Sequence, residues 1–285
     1  MPIRLLKMTM TATAVLIVLS GGFVEARAGE LRLFDLAQGK IISPARALER
    51  LGGMRIVLVG EHHNNAEHHR AQLQIIRSLH QAGHKVAVGL EMFRHDSQAE
   101  LDRWVAGGID ETRFKADYQE NWNYDWKLYR PIFDYARSQK ITLVGLNVPP
   151  DITAQVAFHG FNSLSVKQKG SLEGITCDVS AEYEAYIRRA YGAHGHGHMN
   201  FGRFCEAQLV WDTAMAMNAI AFAQSHPHTI LVILAGSGHA RKPGIPAQLV
   251  KRRSWPVAVL LPATGGIFDA AHISSRDADF LILSK

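Results

Sequence analysis

Cysteine is nearly absent from this chain. Its 285 residues include two, Cys177 and Cys205, and no C-x-x-C. That excludes a zinc knuckle and a c-type haem attachment site. An oxidising compartment would permit a disulfide between the two, but spacing alone does not bring their Cα atoms within bridging distance. A dominant charge sign is also missing: 31 basic residues stand against 26 acidic ones. No Lys/Arg stripe interleaves with aromatics, which excludes a nucleic-acid partner. The short run Lys251-Arg252-Arg253 fits the solvated end of a helix. A linker is lacking too, so the chain reads as one domain. Long hydrophobic runs are scarce, and the stretch from Met8 to Leu19 is too short for a confident membrane span.

That N-terminal stretch has another reading. Arg4 and Lys7 precede it, and Ala26-Arg27-Ala28 offers a small-x-small cleavage site. Residues 1–28 are therefore expected to be a secretory signal peptide, cut before Gly29. A retained anchor is the alternative, but Gly21, Gly22 and Glu25 interrupt the apolar run. No cysteine follows the apolar stretch, so a lipoprotein lipobox is absent. Residues 29–285, the expected single domain, carry 28 basic against 25 acidic residues, a net charge of +3. The expected location is the periplasm or cell envelope.

Beyond the leader, apolar runs alternate with helical periodicity. Strands are expected at Arg55–Val59, Lys85–Leu90, Ile141–Leu146, Thr229–Ala235 and Val257–Leu261, with Phe280–Leu283 as an edge strand. Helices are expected at Ser43–Leu51, Ala66–Ala82, Gln98–Ala106, Trp126–Gln139, Phe204–Gln224 and Ile245–Val250. Leu31–Lys40 reads as a lead-in. This alternation predicts an α/β fold, a mainly parallel sheet with crossover helices. Residues 151–200 break the pattern and read as a helical insertion plus a loop.

One phrase occurs twice. Ile56-Val57-Leu58-Val59 ends in Gly60-Glu61-His62-His63, and Ile230–Ala235 ends in Gly236-Ser237-Gly238-His239. Both read as a buried strand followed by Gly-x-x-His. Ligands of open parallel sheets bind outside the carboxyl ends of the strands. If both strands share a sheet, His63 and His239 lie on one edge. Glu91 and Asn147 end two further strands. Bland readings stand beside this one: Glu61 capping the next helix, His62, His63, His68 and His69 forming a solvated face, and Asn147 making a turn. A real site would offer His63, Glu91 and His239 as ligands for zinc, iron or manganese. The spacing is not HExxH, so the metal signal is weak. Alternatively Glu61 or Glu91 acts as a general base, with Glu61, His63, Glu91 and His239 as an acid–base set for a hydrolase.

A second feature is His194-Gly195-His196-Gly197-His198, near Tyr183, Tyr186 and Tyr191. Imidazoles on a flexible backbone bind a transition metal or cap a haem iron, and tyrosine is a further haem ligand type. Metal affinity without a role is the competing reading. Trp122, Tyr124, Trp126, Tyr129 and Phe133 cluster in sequence, and Trp211, Met215 and Met217 share one helix with Gln208 and Asp212. At helical spacing these are core residues, although a porphyrin would also use them.

Leu58–Asn64, Gly89-Leu90-Glu91-Met92-Phe93, Asn121-Trp122 through Tyr129-Arg130-Pro131, Ala207–Asp212 with Met215-Ala216, and Leu234–His239 followed by Gly244-Ile245-Pro246 occur in order. Together they resemble the ChaN-type haem-binding uptake family of the Tiki superfamily, which includes erythromycin esterases and Tiki peptidases. The match runs from about residue 40 to 265. The resemblance implies a parallel α/β core with its site at the strand ends. It also implies haem binding in iron acquisition, a homodimer around the haem, and an outer-membrane haem receptor or periplasmic transport component as partner. The superfamily's paired Gly-x-x-His elements map onto Gly60–His63 and Gly236–His239, and its strand-end acid onto Glu91. Relatives of this type are envelope lipoproteins, whereas this chain has no lipobox. The family's haem ligand is a tyrosine, expected here between residues 151 and 200.

Overall fold

The apolar runs fall next to one another in space. A computed structural model describes residues 32–170, 172, 181, 183–185, 187–188, 200–263 and 273–283. The expected leader, Cys177, Tyr186, Tyr191, His194, His196 and His198 lie outside these residues. The described residues belong to one compact unit. Their strands are β1 (Arg32–Asp35), β2 (Lys40–Ile42), β3 (Ile56–Glu61), β4 (Val86–Arg94), β5 (Thr142–Asn147), β6 (Ile230–Gly236), β7 (Val257–Pro262) and β8 (Phe280–Leu283). They form one sheet in the order β2-β1-β8-β7-β3-β6-β4-β5.

From β8 to β5 neighbouring strands pair in parallel. β1 and β2 add an antiparallel hairpin at the β8 side. The expected edge strand at Phe280–Leu283 is therefore interior, because β1 covers it. The hairpin falls partly within the expected lead-in.

The helices are α1 (Pro44–Gly52), α2 (Ala66–Gln81), α3 (Gln98–Ala106), α4 (Glu111–Asn121), α5 (Trp126–Gln139), α6 (Pro150–His159), α7 (Val166–Gly170), α8 (Phe201–Ser225), α9 (Ser237–Ala240) and α10 (Ile245–Arg252). α4 and the short α9 go beyond the sequence expectation, whereas α6 and α7 belong to the helical insertion expected there. α4 buries only Phe114, Asp117 and Tyr118, too narrow an apolar stripe to stand out.

Strand side chains alternate between faces, and both faces are covered. Val57, Val59, Val88 and Leu90 join the aromatic residues of α3, α4 and α5 in one core layer. Ile56, Leu58, Leu231 and Ile233 face α8 and α10 on the other. Burial on both faces explains why these strands read as continuous apolar runs. Among the described residues, no helix is long and apolar enough to cross a membrane.

β6 lies between β3 and β4, although the chain visits those two strands first. Glu61 at the end of β3 pairs in register with Gly236 at the end of β6. β4 continues past Leu90 to Arg94, with a register shift against β5 between those residues. Glu91 thus sits in an irregular stretch inside the strand, where bulges re-aim side chains beside functional sites. Gly145 on β5 permits it: a Cβ there would stand 2.3 Å from the Arg94 carbonyl oxygen.

Candidate functional site

The ends of β3 and β6 and the irregular stretch of β4 deliver Glu61, the Gly236–His239 turn and Glu91 to one edge. Glu61 is buried, 2% exposed, and accepts a hydrogen bond from His63 Nδ1 at 2.5 Å. It caps no helix; Asn65 does that, accepting from the Glu67 and His68 N–H groups at the start of α2. Tyr129 of α5 donates its hydroxyl to Glu61 Oε1 at 3.0 Å. His69 Nε2 lies 3.1 Å from Glu61 Oε2, and its Nδ1 faces Gln72 Oε1, also at 3.1 Å. Gln72 is itself anchored to the Val59 carbonyl. His68 and His69 are buried, so the solvated-face reading fails for them.

A matching arrangement stands opposite. His239 Nδ1 donates to Asp212 Oδ1 at 2.7 Å, and Tyr183 donates its hydroxyl to Asp212 Oδ2 at 2.8 Å. Each histidine is therefore tied at Nδ1 to a carboxylate that also holds a tyrosine hydroxyl. Glu91 lies between them. Its Oε2 accepts from the Gly236 N–H at 2.5 Å, and its Oε1 is 3.8 Å from His239 Nε2. Asn147 does more than turn the chain, since its amide donates to the Glu91 carbonyl oxygen at 2.8 Å.

The rings are flanked by aromatics. His63 lies 5.0 Å from Trp122 and 4.7 Å from Tyr124, centroid to centroid, and His239 lies 5.7 Å from Trp211. Tyr118 fixes the Tyr124 segment by donating to its carbonyl oxygen. The His63 side chain is 25% exposed and that of His239 15%, so both border solvent.

The electrostatics follow from this packing. Burial pulls the His239 imidazole down, but the charges of Asp212 and Glu91 outweigh it and push the ring up to about 9. For His63, burial is overcome by the Glu61 hydrogen bond and the Glu91 and Glu61 charges, with a net rise. Burial pushes Asp212 up against the pull of His239. Burial, then the Glu61 charge, raises the Tyr129 phenol. Glu61, His63, Glu91 and His239, all candidates from the sequence, therefore meet. Asp212, Tyr129 and Trp211, which the sequence offers as core residues or porphyrin contacts, also meet in the site, and Tyr183 enters it as a partner of Asp212. Tyr186, Tyr191, His194, His196 and His198 lie outside the described residues.

Among the described residues, no group of three or more His, Cys, Asp and Glu is arranged to hold a metal ion. His63, Glu91 and His239, expected from the sequence as metal ligands, stand at one edge, and each also binds a protein partner. The set does suit a haem iron. An imidazole tied at Nδ1 to a carboxylate is the usual state of a metal-ligating histidine, and aromatic walls suit a porphyrin face. A separate cavity of about 450 Å³ opens at the opposite edge of the sheet, bordered by His80, His84, Lys85, Lys140 and His226.

A family model described as haem-binding uptake, Tiki superfamily, ChaN matches residues 47–249. The chain belongs to this ChaN family. Its fold is similar to that of Campylobacter jejuni ChaN, a structure described as showing cofacial haem binding. The TM-score is 0.69 at 20% identity, covering 90% of this chain and 97% of that one. An erythromycin esterase in its open conformation aligns with a TM-score of 0.49 at 15% identity, over 76% of this chain and 72% of that one. A curated relative from Arabidopsis thaliana, Protein RETICULATA-RELATED 5, chloroplastic, is 23% identical over 241 residues, covering 76% of this chain. This chain spans 32% of that relative's length. The description of the matched family names haem binding and uptake.

Proposed function

We propose that this ChaN-family chain is an exported haem-binding protein of haem and iron uptake, working in the periplasm or cell envelope. The ligand is held at the carboxyl edge of the sheet, with the His194–His198 tract as a further contributor. The observation that carries this reading is the pair of carboxylate-tethered imidazoles, His63 and His239, each beside an aromatic wall. Haem supplies the iron; the chain's own residues supply an oriented nitrogen, apolar faces and exclusion of water on the sheet side. A homodimer around the haem, and transfer to or from an outer-membrane receptor or periplasmic transport component, belong to the same proposal. Titrating the purified protein with hemin tests it. The expected result is a saturable Soret band at fixed stoichiometry, weakened when His194, His196 and His198 are replaced together. The absence of any saturable change overturns it.

A second reading, a hydrolase acting on an ester or peptide, draws on Glu61–His63 and Asp212–His239 flanking Glu91. Such dyads serve general acid–base chemistry. Ester and peptide panels, with and without Zn²⁺ or Mn²⁺, address it. Turnover lost in both Glu61→Ala and His239→Ala supports it, and turnover unchanged in both removes this site as the catalyst.

A further inference from the structure

Tyr183 is part of the insertion between β5 and α8, yet its hydroxyl reaches the strand-end site. The side chain is 4% exposed and packs with Ile187, Cys205 and Leu209. Its hydroxyl donates to Asp212 Oδ2 at 2.8 Å, while Asp212 Oδ1 accepts from His239 Nδ1 at 2.7 Å. Asp212 is 2% exposed, so water is a poor substitute donor for its second oxygen. A buried carboxylate oxygen without a donor is costly. Removing the hydroxyl would leave Oδ2 without its donor and drive the Asp212 carboxylate to rotate, which disturbs its hold on His239.

We infer that Tyr183 is a positioning residue for His239, acting through Asp212, and not the tyrosine that ligates iron. Ligation would require the phenol to lose its proton 2.8 Å from a carboxylate oxygen. Two adjacent anions in a buried site oppose that loss. The hydroxyl is instead used as Tyr129 is used on Glu61, where it donates at 3.0 Å to the carboxylate that holds His63. Tyr183 therefore completes the site: His239 is fully fixed only when the Tyr183 ring is seated against Cys205 and Leu209 of α8. The inference assigns a role within the proposed haem site, but its main readout needs no haem.

The test is Tyr183→Phe, which keeps the ring in its apolar niche, studied by imidazole ¹⁵N NMR on ligand-free protein. The expected result is loss or a marked shift of the His239 Nδ1–H signal, with the His63 signal unchanged as a control for folding. Asp212→Asn should reproduce the His239 effect. A His239 signal unchanged in Tyr183→Phe overturns the positioning role. In a second arm, hemin is added to both proteins. The same iron-ligation bands in wild type and variant support the inference, and loss of a tyrosinate signature from the variant overturns it. A wild type that binds no hemin would instead refute the haem reading, leaving the first arm to decide the role of Tyr183.

Discussion

Gly236 has no side chain where His63 needs room. A Cβ there would stand 2.8 Å from His63 Cε1 and 3.2 Å from its Nε2. The ring cannot simply move aside, because Glu61 holds its Nδ1 at 2.5 Å. Gly236→Ala should destabilise the protein by about 1–3 kcal/mol, the usual cost of overpacking, and weaken hemin binding. Urea denaturation and a Soret titration check this; a variant matching wild type in both contradicts it. His239 gives a pH prediction. Its ring ordinarily titrates near 6.5 and is pushed up to about 9 by Asp212 and Glu91. The stability this adds is fully present below pH 6.5 and is lost as pH rises through about 9. Asp212, raised by burial, works in the opposite direction above its ordinary value of 3.8. An NMR titration should put the His239 ring's midpoint in the alkaline range, and Asp212→Asn should lower it. A wild-type midpoint near 6.5 contradicts the pairing. The histidines were legible in the sequence because each follows a strand and a glycine. Asp212 was less so: in sequence it is one of three charged residues on α8, with Arg203 and Glu206, and its hold on His239 appears only when α8 packs over the strand ends.

Elements position these residues. α2 carries His69 against Glu61 and Gln72 against His69 and the Val59 carbonyl, and its first turn depends on Asn65, whose side chain accepts from the Glu67 and His68 N–H groups. Asn65→Ala should cost about 1 kcal/mol, the typical value of an N-cap. It should lower the urea midpoint without changing the slope; an unchanged midpoint contradicts the capping role. The helix over residues 66–81 was readable from its period, as were α3 and α5. The β1–β2 hairpin was not, because three- and four-residue strands give too little alternation to register. The extension of β4 through Arg94 was hidden for a different reason. A register shift belongs to the pairing of two strands, and neither strand encodes it alone.

At the scale of the whole molecule, sheet order makes the site. β6 enters between β3 and β4, so its Gly-x-x-His turn is flanked by Glu61 on one side and Glu91 on the other. The parallel α/β class was legible in the strand–helix alternation. The insertion of β6 between two earlier strands was not, because it depends on long-range pairing. The same geometry separates the strand-end site from the basic cavity at the opposite edge, bordered by His80 and His226. That separation allows a direct test of where haem sits, which is the central claim. Hemin is paramagnetic, so histidine ring signals broaden according to their distance from it. Substoichiometric hemin should broaden His63 and His239 first and leave His80 and His226 sharp. Broadening of His80 and His226 with His63 and His239 untouched would contradict the account.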